Sequence, residues 1–542
     1  MIDTIDYINN KLEIAFSYLH SKYIWFTAFC FLLMVTSMTF STPFSEVLRE
    51  DAYYYLLKGF EITQGNWIPM HSHPIGWSIV LAFFLKVFGI RSIFDGMILS
   101  RVLSILIMGL SIFPFSGLTN KLTDKKSSIV AVFAFALSPV LIRTGGWEYS
   151  GYSEPLFILL VILTMYYLAD SENKTRSIFI ATIFAGFSNY VRPNGIFMLG
   201  VIMLYLVWLL WYKKVNLSRS FLLLVPLLFF LVSLPDLYMR YKIYGSAFDF
   251  GKNSQYFTDL HAQVSSKYTS NPSFVDYLRT HRIDDYFRKF IYHGLLKIVD
   301  RFYLLLGKVW LLLFFLGSIK YLILDRFSRF DLVFIFFFVF VAGLTPVFEV
   351  YGIPRHLYVM VPFTFIISSK FLIDLLSESH GNNILVLMFI LLLIASIPLK
   401  LDLSVANGTN ITTPKVRDRW ATWAASNLHG NIAIIEGGDL IEMILTDPKI
   451  GSKNLLNLSA EQLGVATFRP GIYNNLEDAI QDFKKMQVGY LMLDTENIKR
   501  LSYLYGVYDP QWSKHFILIR SFRSKSADKW IIKDMDIFKV VY

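Results

Sequence analysis

Residues 23–40 read YIWFTAFCFLLMVTSMTF, an apolar run with no charged residue, and within ten residues the chain turns to Arg49-Glu50-Asp51-Ala52-Tyr53-Tyr54-Tyr55. A run of about 20 apolar residues spans the hydrocarbon core of a bilayer as a helix. The acids that follow must therefore lie at or outside a membrane surface. Working outward from this pair of stretches decides the class of the molecule.

Similar apolar runs recur. They lie near 102–118, 128–142, 155–169, 177–190, 194–212, 220–236, 302–324, 331–347, 357–375 and 383–399, giving eleven spans in all. Residues 75–90 are also apolar but shorter, and read as a helix lying along the interface. Composition agrees. The 542 residues are 54% hydrophobic and only 17% charged, with a mean hydropathy of +0.47. Soluble domains carry about a quarter charged residues. The start does not read as a cleavable signal, because Met1–Lys22 is long and of mixed charge and the run after it is of full spanning length.

The short loops set the orientation. Lys121, Lys125 and Lys126 share one loop, Lys174 and Arg176 a second, Lys213, Lys214 and Arg219 a third, and Arg326 and Arg329 a fourth. With the spans above, all four fall on the side of the N-terminus, which the positive-inside rule makes cytoplasmic. This also explains the net charge of +10. No basic stripe with interleaved aromatics accompanies it, so nucleic acid is not an expected partner. The single cysteine, Cys30, excludes a disulfide framework and a thiolate metal site.

Residues 400–542 change character. Ile432–Ile435, Leu491–Leu493, His515–Phe522 and Ile531–Tyr542 read as strands. Asn475 can cap a helix whose apolar positions Leu476, Ala479, Ile480 and Phe483 share a face. The expected fold is mainly α. It is a polytopic transmembrane helical bundle over 1–399, with a small α/β domain over 400–542 on the extracytoplasmic side. Gly437-Gly438 reads as a turn. Asp534-Met535-Asp536 has the form of a DxD metal motif but sits in a strand-like tail.

The chemistry-bearing residues gather outside. The first external loop, 41–101, holds Glu50, Asp51 and Tyr54, then Gly65-Asn66-Trp67-Ile68-Pro69, then His71, Ser72, His73 and Pro74. Acids and aromatics at an interface also serve as anchors, but anchoring does not account for the histidines. A second external stretch is Gly145–Pro155, with Glu148 and Glu154. Glu154 opens a span, where a carboxylate suits the positive helix end; it can also face Asp51 across a cleft. A third is Tyr190-Val191-Arg192-Pro193-Asn194-Gly195. The fourth holds Glu349, Tyr351, Pro354, Arg355, His356 and Tyr358. Arg355 and Arg101 each open a span from outside. An arginine there can snorkel or grip a phosphate through a bidentate fork. P-loop, HExxH and GxSxG motifs are absent. His71, His73, Glu50 and Asp51 could together hold a divalent metal, although neighbouring acids and histidines more often pair by hydrogen bonds.

The order Glu50-Asp51…Tyr54…Gly65-Asn66-Trp67-Ile68…His73-Pro74-Ile75…Phe88-Gly89…Arg101 resembles the GT-C glycosyltransferases, in particular the protein O-mannosyltransferases and the lipid A aminoarabinose transferases. The resemblance covers about 1–240 in the spacing of spans and loops and is weaker through 241–399. It implies a sugar donor on a polyprenyl phosphate. It also implies transfer on the outer leaflet to a lipid, glycan or protein acceptor, and a first-loop acid as catalytic base. That role maps onto Asp51 or Glu50. Many relatives have Asp-Glu where this chain has Glu50-Asp51, and the aminoarabinose enzymes have Lys where it has His73. The remaining external residues, Tyr54, His71, His73, Arg101, Glu148, Glu154, Arg192, Glu349 and Arg355, are the candidate substrate contacts. A carboxylate near lipid should have a raised pKa, which suits a base working near neutrality.

The location expected for such an enzyme is a bacterial or archaeal cell membrane, with the ER membrane as the alternative. Two rivals remain. An oligosaccharyltransferase catalytic subunit shares the Asp51-Ala52-Tyr53-Tyr54 type of motif, but no WWDYG-like segment follows; Trp420-Ala421-Thr422-Trp423 lacks the acid. A lipid or sugar flippase would carry charges at mid-membrane, whereas here the acids cluster at span ends.

Overall fold

The structure is a computed structural model. It describes residues 21–42, 44, 51–65, 67, 74–146, 151–170, 175–212, 218–244, 282–324, 330–350, 354–378, 423–424, 427–434, 465–468, 475–494, 502–523 and 535–542. The expected span at 383–399 and the Gly437-Gly438 turn lie outside these residues.

The helices follow the apolar runs. In chain order they are α1 (Tyr23–Ser41), α2 (Asp51–Thr63), α3 (Gly76–Val87), α4 (Ile93–Leu110), α5 (Ile112–Leu122), α6 (Lys125–Leu137) and α7 (Pro139–Gly145). Then come α8 (Glu154–Leu168), α9 (Thr175–Val191), α10 (Ile196–Trp211), α11 (Phe221–Tyr244), α12 (Gly294–Ile319), α13 (Asp331–Val350) and α14 (Val361–Glu378). Among the described residues six helices are long and apolar enough to cross a membrane, or seven if α6 and α7, bent by 50°, form one broken span. The bend falls at Ser138-Pro139, where the proline cannot continue the hydrogen-bond ladder. The helices α8, α9 and α13 run where three further spans are expected. α8 has 15 residues, roughly 22 Å of rise, short of a 30 Å core.

One boundary differs from expectation by nine residues. α4 begins at Ile93, not near 102. Ser92 caps it by accepting from the Asp95 amide, and Asp95 sits in the first turn, where the helix dipole favours an acid. Arg101 looked like a span head because of its charge. It is instead buried in mid-helix and donates to the Phe44 carbonyl at 3.1 Å.

Packing is close. Phe115 stacks on Phe135 at 4.6 Å, and Phe336 meets Phe363 at 4.3 Å. At one end of the bundle the loop and helix-end charges pair. Lys370 bridges Asp124 (3.1 Å) and Asp374, Tyr321 donates to Asp374 at 2.7 Å, and Lys121 pairs with Asp170 at 3.7 Å. This is the end of the Lys121–Lys126 loop.

At the opposite end α2 and α3 pack as a hairpin. α3 has 12 residues, too few to cross. It buries Trp77, Leu81 and Leu85 and exposes Phe83, Val87 and Phe88, the one-sided pattern of a helix at an interface.

The sheet has strands β1 (Gly430–Ile434), β2 (Val465–Phe468), β3 (Val488–Asp494), β4 (Phe516–Phe522) and β5 (Met535–Val540). Their order is β2-β1-β3-β5-β4. β1 runs parallel to β2 and β3, and β5 antiparallel to β3 and β4. Alternation sorts the side chains to two buried faces. Ala433, Leu491, Leu493, Phe538 and Val540 pack on helix α15 (Leu476–Lys485) through Leu476, Ala479 and Phe483. Ile432, Ile434, Met492, Met535 and Ile537 belong to the same apolar cluster as Tyr53, Leu56 and Trp77 of the α2–α3 hairpin. Asn475 caps α15 as expected, its side chain accepting from the Asp478 amide at 2.8 Å.

Asp536 does not have the surroundings of a metal ligand, contrary to the DxD form; Asp534 lies outside the described residues. Asp536 is buried and accepts from Ser521 (2.6 Å) and Tyr508 (2.8 Å), and it pairs with Arg523 at 2.7 Å. Burial works against its charge, but these partners hold its pKa below the ordinary carboxylate value. The stabilisation is therefore complete above the pKa of the unfolded chain and is lost as pH falls through the lower folded value. Asp536→Ala should cost about 1–3 kcal/mol and remove that acid sensitivity. Hydrogen exchange of β5 amides against pH is the measurement.

Candidate functional site

The segment Gly151-Tyr152-Ser153-Glu154 is the hub. Gly151 has φ +92°, a conformation that suits glycine. Its carbonyl accepts from Trp77 Nε1 of α3 at 2.7 Å and from Ser100 Oγ of α4 at 3.3 Å. Its amide donates to Ser104 Oγ at 2.9 Å. Ser153 Oγ donates to the Tyr55 hydroxyl at 3.2 Å, while Ser78 Oγ donates to the Tyr55 carbonyl at 2.9 Å. Tyr55 lies one turn after Asp51 in α2. A buried polar lattice thus ties the helix that begins at Asp51 to the start of α8.

Glu154 is 3% exposed at its side chain, and Oε1 takes two guanidiniums. Arg192 Nη1 donates to it in a short contact, and Arg355 Nε stands 3.8 Å away. Among the described residues Oε2 has no hydrogen-bond partner. The Arg355 guanidinium also lies 5.4 Å from the Tyr152 ring centre, a cation–π distance.

Arg192 is extended, as a residue before proline must be. It precedes the single 3-10 turn Pro193–Gly195. A Cβ on Gly195 would come within 2.3 Å of the Asn189 amide nitrogen, so only glycine lets this turn close on the end of α9. Asn194 is thereby aimed at the 3-10 helix Pro354–Met360, where its amide lies 3.5 Å from His356 Nδ1. Between these parts is a small cavity. It is lined by Glu154, Phe157 and Ile158 of α8, by Arg192 and Asn194, and by Arg355, His356, Tyr358 and Val359. Two guanidiniums, an imidazole and an amide share this pocket with the Glu154 carboxylate that both arginines face.

The structure brings together three of the residues expected from sequence: Glu154, Arg192 and Arg355. Arg101 is not among the residues lining the cavity. Asp51 is the first residue of α2, Tyr54 is half-buried in the same helix beside Tyr53, and Glu349 lies in the last turn of α13. Glu50, His71, His73 and Glu148 lie outside the described residues, and with them every member of the proposed acid–histidine metal set except Asp51. The contributions of Tyr55, Tyr152 and Ser153 were not foreseen. No sequence signal marks a hydroxyl pair 98 residues apart.

Residues 72–239 match the family model for dolichyl-phosphate-mannose-protein mannosyltransferase. That stretch includes Glu154, Arg192 and Asn194. Among solved structures, the chain is similar to the oligosaccharyltransferase AglB from Archaeoglobus fulgidus in complex with an inhibitory peptide and a dolichol-phosphate. Identity is 15% and the TM-score 0.57, over 94% of this chain and 73% of that one. An Archaeoglobus fulgidus oligosaccharyltransferase tethered with an acceptor peptide gives 15% and 0.58, over 92% and 72%. ArnT from Cupriavidus metallidurans bound to undecaprenyl phosphate gives 12% and 0.49, over 95% and 98%. A comparison with curated proteins gave no match. The mannosyltransferase model thus matches residues 72–239, under half of the chain, and the fold is one that the chain shares with AglB.

Proposed function

We propose that the protein transfers a sugar from a polyprenyl-phosphate carrier to an acceptor hydroxyl on the extracytoplasmic face, with Asp51 as the general base. The observation that carries this reading is the convergence of Arg192 and Arg355 on Glu154 in a cavity at the α2 end of the bundle. The leaving group of such a transfer is a phosphate that gains charge as the bond to the sugar breaks. Preorganised cations in a low-dielectric wall stabilise that charge more than a general acid would. The dolichol-phosphate in the AglB complex is the same class of carrier.

The cavity lies at the end away from the Lys121–Lys126 loop, which the positive-inside rule puts in the cytoplasm. The N-terminus is then cytoplasmic, and residues 400–542 form a unit outside. The membrane is a bacterial or archaeal cell membrane, or the ER membrane. The acceptor is a lipid, a glycan or a protein.

Arg355→Ala tests the reading. With a polyprenyl-phosphate-linked sugar and the full chain in nanodiscs, donor affinity should fall about 10–100-fold, the worth of a charge-assisted hydrogen bond. Unchanged donor affinity in a folded variant would remove the phosphate from this cavity.

A further inference from the structure

Only one oxygen of the Glu154 carboxylate is used by the protein. Oε1 takes Arg192 and faces Arg355. Oε2 is buried and has no hydrogen-bond partner among the described residues, yet Glu154 lines the cavity. A buried acceptor without a donor is costly, so a ligand that supplies the donor gains from meeting it. A carboxylate oxygen only accepts, which leaves its role in no doubt. A phosphate oxygen cannot meet Oε2, because two anionic acceptors repel. An ammonium would stand against the two guanidiniums. A hydroxyl suits the place on both counts: it donates to Oε2, and its own oxygen can accept from the donors around it.

We propose that Glu154 Oε2 accepts a hydrogen bond from the sugar hydroxyl on the carbon next to the anomeric carbon, so that Glu154 selects donors carrying that hydroxyl. The inference rests on the reading of this cavity as the phosphate site. In a glycosyl phosphate the linking oxygen and this hydroxyl sit on adjacent ring carbons, so no other ring hydroxyl is tied more closely to the phosphate. The arginines and Glu154 belong to one small cavity, with Arg355 Nε 3.8 Å from Oε1. A phosphate held by the guanidiniums therefore brings this hydroxyl to Oε2, and not a more distant one. The hydroxyl keeps its proton throughout. Its bond to Oε2 strengthens as positive charge builds on the anomeric carbon. The substrate class that follows is a sugar with a free hydroxyl beside its anomeric carbon, and a 2-deoxy sugar is disfavoured.

The test measures donor affinity on the full chain in nanodiscs, so no acceptor is needed. The probes are polyprenyl phosphates carrying mannose, glucose or 2-deoxyglucose, together with sugar-free polyprenyl phosphate. Mannose and glucose differ only in the orientation of the hydroxyl in question, and 2-deoxyglucose lacks it. Wild type should bind at least one of the two hydroxylated donors about 10–100-fold more tightly than the deoxy donor, the worth of a hydrogen bond to a charged group. In Glu154→Gln the amide oxygen goes to Arg192, an obligate donor, and the NH2 takes the place of Oε2. That variant should bind all three sugars within about threefold of one another, and sugar-free polyprenyl phosphate as wild type does. This compares two ligands on two proteins, so a general loss of structure cancels from the ratio. No preference in wild type overturns the proposal, as a cavity filled by an ordered water alone would give. So does a preference in Glu154→Gln as large as in wild type. Sugar-free polyprenyl phosphate separates the two levels. If Arg355→Ala loses its binding while wild type ignores the missing hydroxyl, only this inference fails. If Arg355→Ala binds it like wild type, the phosphate reading beneath it fails.

Discussion

Asp51→Asn should lower sugar transfer about 10²–10⁴-fold, the usual worth of a general base, in a protein that remains folded and still binds donor. The amide keeps the size of the side chain but cannot take a proton at the moment the acceptor hydroxyl attacks. The fold should survive, because α2 is held elsewhere. Tyr55 is tied to Ser153 and Ser78, and Gly59 packs tightly on Leu81. Donor affinity should survive as well, since Arg192 and Arg355 lie on other segments. Glu50→Gln is the paired measurement. A normal rate in Asp51→Asn with a dead Glu50→Gln would move the base by one residue. Full turnover in both would end the first-loop mechanism. A glycosyl-transfer assay with a melting curve on each purified variant decides.

Glu154→Ala should be the most destabilising single change at the site, by about 3–5 kcal/mol. The carboxylate is almost fully buried, and its two partners are 11% and 13% exposed. Removing it leaves two guanidiniums side by side in an apolar wall, with the repulsion between them unscreened. Glu154→Gln should cost less, because the amide oxygen still accepts from Arg192. The double change Glu154→Leu with Arg192→Leu should recover stability but not activity, since a buried ion pair can be replaced by well-packed apolar groups at little net cost. The melting temperature in nanodiscs, with and without donor, is the readout. A Glu154→Ala variant that melts like wild type would show that the carboxylate does not hold the arginines.

Much of this was legible in the chain. Residues 24–40 became Tyr23–Ser41 because nothing charged interrupts the run. Leu476–Lys485 was found because Asn475 is a strong cap and the apolar positions repeat with helical spacing. The start of α4 was misjudged because charge was equated with exposure at Arg101. Val465–Phe468, four residues without alternation, carries too little pattern to read as a strand and is specified only by pairing with β1. The site divides in the same way. Glu154, Arg192 and Arg355 were each recognisable as polar groups at span ends. Their meeting was not, because it depends on how α8, the Pro193–Gly195 turn and the Pro354–Met360 helix pack. Nothing local encodes a contact across 38 or 162 residues.

The two-faced sheet constrains how this protein can change over generations. Neighbouring residues of β1, β3 and β5 belong to different apolar clusters, one against α15 and the other shared with the α2–α3 hairpin. Inserting or deleting one residue within any of these strands would exchange both sets at once. Substitutions that keep size and greasiness can accumulate there, but length cannot drift. Insertions and deletions must collect in the connections between strands, and related chains should differ most in those connections while the strand lengths stay the same.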